Sequence, residues 1–157
     1  MPTITARLRA LYACWDSIEW ASDFTDAQLA WDACDRGDWL IWLAGRFSGE
    51  PESDDRKKLV LCACECARLT LSIFEKRHPD DNRVRACIET AERWARGEAT
   101  IEDVKAARKE CWAAWRAAAA DAAAAAVAAA AARQRTLKEC AVIVRKHYPT
   151  VPGGTNG

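Results

Sequence analysis

From Ile101 to Tyr148 the chain carries neither glycine nor proline, and its middle, Ala117 to Ala132, is alanine interrupted only by Asp121 and Val127. No other feature restricts the fold as much. Alanine is the strongest helix former because it gives up no side-chain entropy, whereas glycine and proline are the residues that end helices. Without either, nothing in the local chemistry stops a helix once it has begun. Phase supports continuity: ten turns at about 3.6 residues each carry Ile101 onto Leu137. Val104, Trp112 and Trp115 share that face before the alanine tract, and Cys140, Ala141, Val144 and Tyr148 share it afterwards. A single helix from 101 to 148 would be about 70 Å long at about 1.5 Å per residue. A rod of that length must project, bend or be covered. A second copy lying antiparallel along its small side chains would cover it, so the tract points to a homodimer. The competing reading folds the segment back near Asp121.

The rest of the chain reads as shorter helices. Leu8, Leu11, Tyr12, Trp15 and Ile18 recur at steps of three and four, which predicts one helix from Thr5 to Ala21. Thr25 is the expected N-cap of a second helix, stopped by Gly37 in the left-handed conformation. Asp38 then caps a third, Trp39 to Phe47, whose run Trp39-Leu40-Ile41-Trp42-Leu43-Ala44 is so apolar that it should be the most buried element. Ser48 to Asp55 is a loop, and Ser53, Asp54 and Asp55 supply a cap and acids for a helix over Asp54–Arg77, ended at His78-Pro79. Asp80 or Asp81 starts a fifth helix, with Val84, Cys87, Ile88, Ala91 and Trp94 on one face and Gly97 closing it. Thr100 with Asp103 makes a variant capping box for the last. The fold class is therefore all-α, a compact bundle of about five short-to-medium helices plus one long C-terminal alanine-rich helix. All of it fits one domain over residues 1–148, with 149–157 as a flexible tail.

Net charge is zero, which argues against an electrostatic grip on nucleic acid. The charges are nevertheless unevenly placed. Up to Asp55 there are eleven acids against four bases, a balance of −7, and from Arg56 onward twelve acids against nineteen bases, a balance of +7. An acidic first third offers a face to a basic partner. The longest apolar run is alanine, too small in its side chains to read as a membrane span. No secretory segment precedes the eight cysteines, and each lies inside a helical pattern. They read as reduced thiols packed as small hydrophobes in a cytoplasmic chain.

Cys62-Ala63-Cys64-Glu65-Cys66 resembles a metal motif only at first sight. On a helix Cys62 and Cys66 share a face while Cys64 points nearly opposite, and tetrahedral zinc needs four converging ligands. No metal or cofactor is expected. No nucleophile stands beside a base and no glycine-rich loop follows a strand, so the chain does not read as an enzyme. Two clusters remain as candidate partner-binding groups. Asp16, Glu19, Asp23, Asp26, Asp32 and Asp35 surround Trp20 and Trp31, which is either a hot spot or the wet face of two helices. Trp39 and Trp42 line one helix face between Arg36 and Arg46, which is either core or a pocket for a planar, nucleotide-like molecule.

The run Trp31-Asp32-Ala33-Cys34-Asp35-Arg36-Gly37-Asp38-Trp39-Leu40-Ile41-Trp42-Leu43-Ala44 resembles a family of alanine-rich bacterial immunity proteins of the polymorphic-toxin type. Leu59 to Leu69, Ala91 to Thr100, Glu139 to Arg145 and the alanine tract are similar to that family too, so the resemblance covers most of residues 5 to 149. It implies a protein that binds and neutralises a cognate toxin or effector, and it carries no catalytic residues with it. The residues themselves leave two other readings open. One is a sequestering protein that holds a small, nucleotide-like ligand between Trp and Arg; the other is a structural assembly subunit built on the long helix.

Overall fold

The computed structural model describes residues 2–121 and 126–154. Among them are eight helices and no strand: α1 (Ile4–Ala10), α2 (Trp15–Ala21), α3 (Ala27–Ala33), α4 (Gly37–Arg46), α5 (Asp54–Arg77), α6 (Arg83–Ala95), α7 (Ile101–Asp121) and α8 (Ala126–His147). The all-α class stands. α5 is the axis, with a separate core on each flank. One core gathers Trp31, Cys34, Leu40, Cys62, Ala141 and Val144 between α3, α4, α5 and α8. The other gathers Cys64, Leu71, Phe74, Val84, Ile88 and Ala114 between α5, α6 and α7. The Cys-x-Cys-x-Cys run thus divides as helix geometry requires, Cys62 serving one core and Cys64 the other.

Local chemistry sets several boundaries. The Ser53 hydroxyl accepts from Arg56 N at 3.2 Å and starts α5. Thr100 and Asp103 close a reciprocal capping box, with Asp103 N donating to Thr100 Oγ1 at 3.1 Å and Thr100 N to Asp103 Oδ2 at 2.8 Å. Gly97 ends the preceding turn at φ 80°.

Other boundaries differ from the sequence expectation. The helix expected over Thr5–Ala21 is two helices. Tyr12 adopts φ 61°, Ala13 N donates to Leu8 O and Tyr12 N to Arg9 O, both at 3.0 Å. This is the Schellman closure, here with a tyrosine in the position that glycine usually takes. Asp26 rather than Thr25 caps α3, its carboxylate accepting from Leu29 N at 2.9 Å. Asn82 precedes α6 without a side-chain cap bond, and Asp81 instead accepts from Arg83 N at 3.1 Å.

Gly37 is the first residue of α4 and not a helix stop. Its lack of a side chain serves a close approach. A Cβ there would sit on Cys140 Cβ, 2.7 Å from Ala141 N and 2.8 Å from Leu137 O. α4 is also less buried than its composition suggested. Gly37, Leu40 and Ala44 are buried, while Trp42 is 38 % and Phe47 41 % exposed, because α4 is covered on one side only.

The single helix over 101–148 is corrected as well. In one straight helix residues 115 and 140 would stand about 37 Å apart at about 1.5 Å per residue. Trp115 instead stacks near Phe74, with ring centroids 6.1 Å apart, and the Cys140 carbonyl accepts from the Cys66 thiol at 3.9 Å. Phe74 and Cys66 lie about 12 Å apart along α5, so these two contacts leave no room for such a rod. α6 runs antiparallel to α5, pairing Arg68 with Glu92 and Glu75 with Arg85. α8 is antiparallel to α5 too, with Lys58 beneath the Tyr148 ring and Cys66 at Cys140. The expected apolar face of α7 is also rotated: Ala114 is buried, whereas Trp112 and Trp115 are 56 % and 46 % exposed. Residues 122–125, and the side chains of 117 and 119–129, lie outside the described residues, and the expectation of a homodimer through the alanine tract falls largely on them.

The segment after α8, expected as a flexible tail over 149–157, lies across the N-terminal helices through Gly153. Gln28 clamps it, donating to Pro149 O at 3.0 Å and accepting from Val151 N at 2.9 Å. The Trp31 indole donates to Tyr148 O at 3.0 Å, and Arg7 donates to Gly153 O.

Candidate functional site

α1 to α4 are short, and their packing leaves a cleft of about 510 Å³ bounded also by Val151. Small side chains make the space and large ones wall it. Ser17 and Ala21 on α2, and Ala27 and Ala30 on α3, line the gap with side chains too short to fill it. Trp20, Trp31, Trp39 and Trp42 stand around it, with Leu8 of α1 and Tyr12 of the left-handed turn at one side. The Trp20 and Trp39 rings lie 6.1 Å apart at 59°, and Phe24 packs against Trp20 at 4.7 Å. Tilted aromatic pairs at these separations are favourable and hold the wall rigid.

The polar groups of the cleft are already engaged within the protein. Arg36 forms a two-pronged bond to Asp38, Nε to Oδ1 at 2.8 Å and Nη2 to Oδ2 at 2.6 Å, while its guanidinium lies 4.3 Å over the Trp39 ring. The guanidinium hydrogen bonds hold the Asp38 carboxyl below the usual carboxylate range and raise Arg36 in turn. The pair therefore presents little net charge. Ser17 donates to Cys14 O at 2.8 Å, the Trp31 indole is committed to Tyr148, and the Cys34 thiol, pushed up by burial, leans on Arg36 O at 3.8 Å.

The structure sorts the sequence candidates into three groups. Arg36, Trp39 and Trp42 line the cleft, and Arg46 is not among its lining residues, its guanidinium lying 6.0 Å from the Trp42 ring centroid. Asp16, Glu19 and Asp23 are exposed on α2 and the turn after it, spaced so that they form one stripe beside the cleft wall. Asp26 and Asp32 have local work, the first capping α3 and the second accepting from Gln28 at 2.9 Å. Sequence reasoning missed Leu8, Tyr12, Ser17 and Val151. The periodicity that ran one helix through Tyr12 hid the turn, and nothing local announces that Val151 returns.

Other chemistry is limited. Among the described residues no group of three or more His, Cys, Asp or Glu side chains is placed to hold a metal, and no described helix is long and apolar enough to cross a membrane. All eight cysteines are free thiols. Burial pushes Cys64 and Cys140 up to about 12 and Cys87 to about 11, so they stay protonated at neutral pH.

No curated protein and no solved structure matches the chain. A family model does match, over residues 49–141, which spans α5 to α7 and most of α8 and leaves α1–α4 outside. That match takes in more than half of the sequence, and by it the chain belongs to the family described as Imm-5 like putative immunity protein.

Proposed function

We propose that this protein is a non-catalytic antagonist that binds a cognate toxin or effector protein and blocks it, and that the α1–α4 end supplies the contact surface. One observation carries the reading: large exposed aromatics and uncompensated acids occur together at that end. Tyr12 is 88 %, Trp15 68 % and Trp42 38 % exposed. Among the described residues none of Asp16, Glu19 and Asp23 has an ion-pair partner within 4.0 Å, although arginines elsewhere are paired repeatedly. Aromatic side chains concentrate binding energy at interfaces, and charge around them steers a complementary partner and rejects others. The partner is therefore basic. The family membership supports a protein target.

A nucleotide-like ligand is less well supported, because Arg36, the cation of the cleft, is already held by Asp38 in a two-pronged bond. The test uses the wild-type chain and the triple variant Asp16→Lys/Glu19→Lys/Asp23→Lys as baits in native lysate, followed by expression of each captured protein alone and with either bait. The reading requires a protein that arrests growth, is rescued by wild type, and is rescued poorly by the triple variant while its circular dichroism stays unchanged. Equal capture by both baits at low and moderate salt removes the acidic surface from the proposal. Absence of any growth-arresting partner removes the proposal itself.

A further inference from the structure

The geometry points to a more specific role for the cleft, which we infer to be the acceptor for an uncharged aromatic or bulky apolar side chain projecting from the basic surface of that partner. This rests on the protein-binding reading above. The volume of about 510 Å³ falls within the range of natural small-ligand pockets, about 300–1,000 Å³. Its walls are mainly indoles, leucines and alanines, and each polar side chain named above already has a hydrogen-bond partner in the same chain. A guest therefore gains from apolar contact and finds few hydrogen bonds to make.

Charge decides the class of guest. An anion would meet a guanidinium whose charge Asp38 already balances, and would approach past the acidic stripe. A cation would find indole faces, but the Arg36 guanidinium already lies 4.3 Å over the Trp39 ring, and a second positive charge beside it, with Asp38 already bound, is repelled. A neutral ring escapes both penalties. Outside the cleft the preference reverses, because Asp16, Glu19 and Asp23 border the wall at Trp20. The fitting partner thus presents one apolar anchor among cationic residues. Val151 adds a further apolar side chain to the cleft boundary.

The test uses the full purified chain with N-acetyltryptophanamide as neutral probe and indole-3-acetate as anionic probe, read by the indole N–H signals in nuclear magnetic resonance. The neutral probe should shift the Trp20, Trp39 and Trp42 signals saturably, and the anion should bind at least about tenfold more weakly, because its carboxylate would lose water and gain no free partner. Ala27→Phe places a ring in the cleft from the first turn of α3 and should abolish the shifts. Trp42→Ala, which removes a half-exposed wall, should weaken them if the filled variant is unstable. Binding that survives Ala27→Phe, or equal affinity for both probes, overturns the inference. So does undiminished capture of the toxin by a folded Ala27→Phe variant, which leaves the protein-binding reading intact. Saturable probe binding with no toxin captured by wild type overturns that reading instead, and makes the guest a free aromatic molecule.

Discussion

Gly37 and Gly45 lie in the same helix, α4, yet Gly→Ala should act with opposite sign at the two. In a helix interior the change is ordinarily favourable by about 0.5–1 kcal/mol, since alanine has less backbone freedom to lose. At Gly45 the new Cβ meets only Leu59 Cδ2 at 3.6 Å, an ordinary contact, so the gain should be realised. At Gly37 it would lie 2.7 Å from Ala141 N and 2.8 Å from Leu137 O, against a lower limit of 3.4 Å for ordinary contact. These are backbone atoms of α8, and Cys140 Cβ, closer still, is fixed to that backbone, so none can rotate away and α4 and α8 must part by at least about 0.7 Å. A gap of about 0.5–1 Å already forfeits a quarter to a half of the dispersion energy across it. The contact that opens includes Leu40, Ala141 and Val144, all buried, and overpacking of this kind typically costs about 1–3 kcal/mol. Gly37→Ala should therefore lose about 2 kcal/mol. With a urea slope of about 2 kcal/mol per molar, its unfolding midpoint falls by about 1 M and that of Gly45→Ala rises by a few tenths. If Gly37→Ala proves neutral or stabilising, α4 and α8 do not meet at backbone contact over Gly37.

Two further outcomes test the site and its surroundings. Trp31 is 2 % exposed and hydrogen-bonded to Tyr148 O, so Trp31→Ala should lose about 3–5 kcal/mol in denaturant unfolding, whereas the half-exposed Trp42→Ala should lose only about 1 kcal/mol. Equal losses would contradict the one-sided burial of α4. At the α5–α6 junction the Arg83 guanidinium holds Asp81 down to about 2 from an ordinary 3.8. A depressed carboxyl stabilises the fold above its unfolded value and stops doing so as pH falls through the folded one. Asp81→Asn should consequently flatten the loss of stability between pH 3.8 and about 2 while changing little below it, as followed by thermal melting across that range.

Elements whose ends are marked by local chemistry were legible in the sequence. Ser53 before two aspartates, His78-Pro79, Gly97 and the Thr100–Asp103 box all act within a few residues of themselves, so α5, the end of α6 and the start of α7 follow from reading along the chain. Helix periodicity likewise separated Cys62 from Cys64 before any partner helix was known. The resemblance to immunity proteins was also carried by the sequence, and the family match over residues 49–141 agrees with it. What lay beyond local reading depends on contacts between distant residues. The turn at Tyr12 interrupts no hydrophobic pattern, because the stripe resumes in phase after it, and the left-handed tyrosine is accommodated only by the return bonds to Leu8 and Arg9. Gly37 looked like a stop because glycine serves both left-handed turns and close approaches, and only the position of α8 tells which. The alanine-rich segment satisfies a continuous helix by propensity everywhere, yet Trp115 and Cys140 are drawn to nearby points on α5, and tertiary contact outweighs propensities of less than about 1 kcal/mol per residue. The cleft belongs to the same class. Its tryptophans and Arg36 were visible as candidates, but the space between them exists because Ala21, Ala27, Ala30 and Val151 come together from three separate stretches of the chain, and no pattern along the sequence records a void.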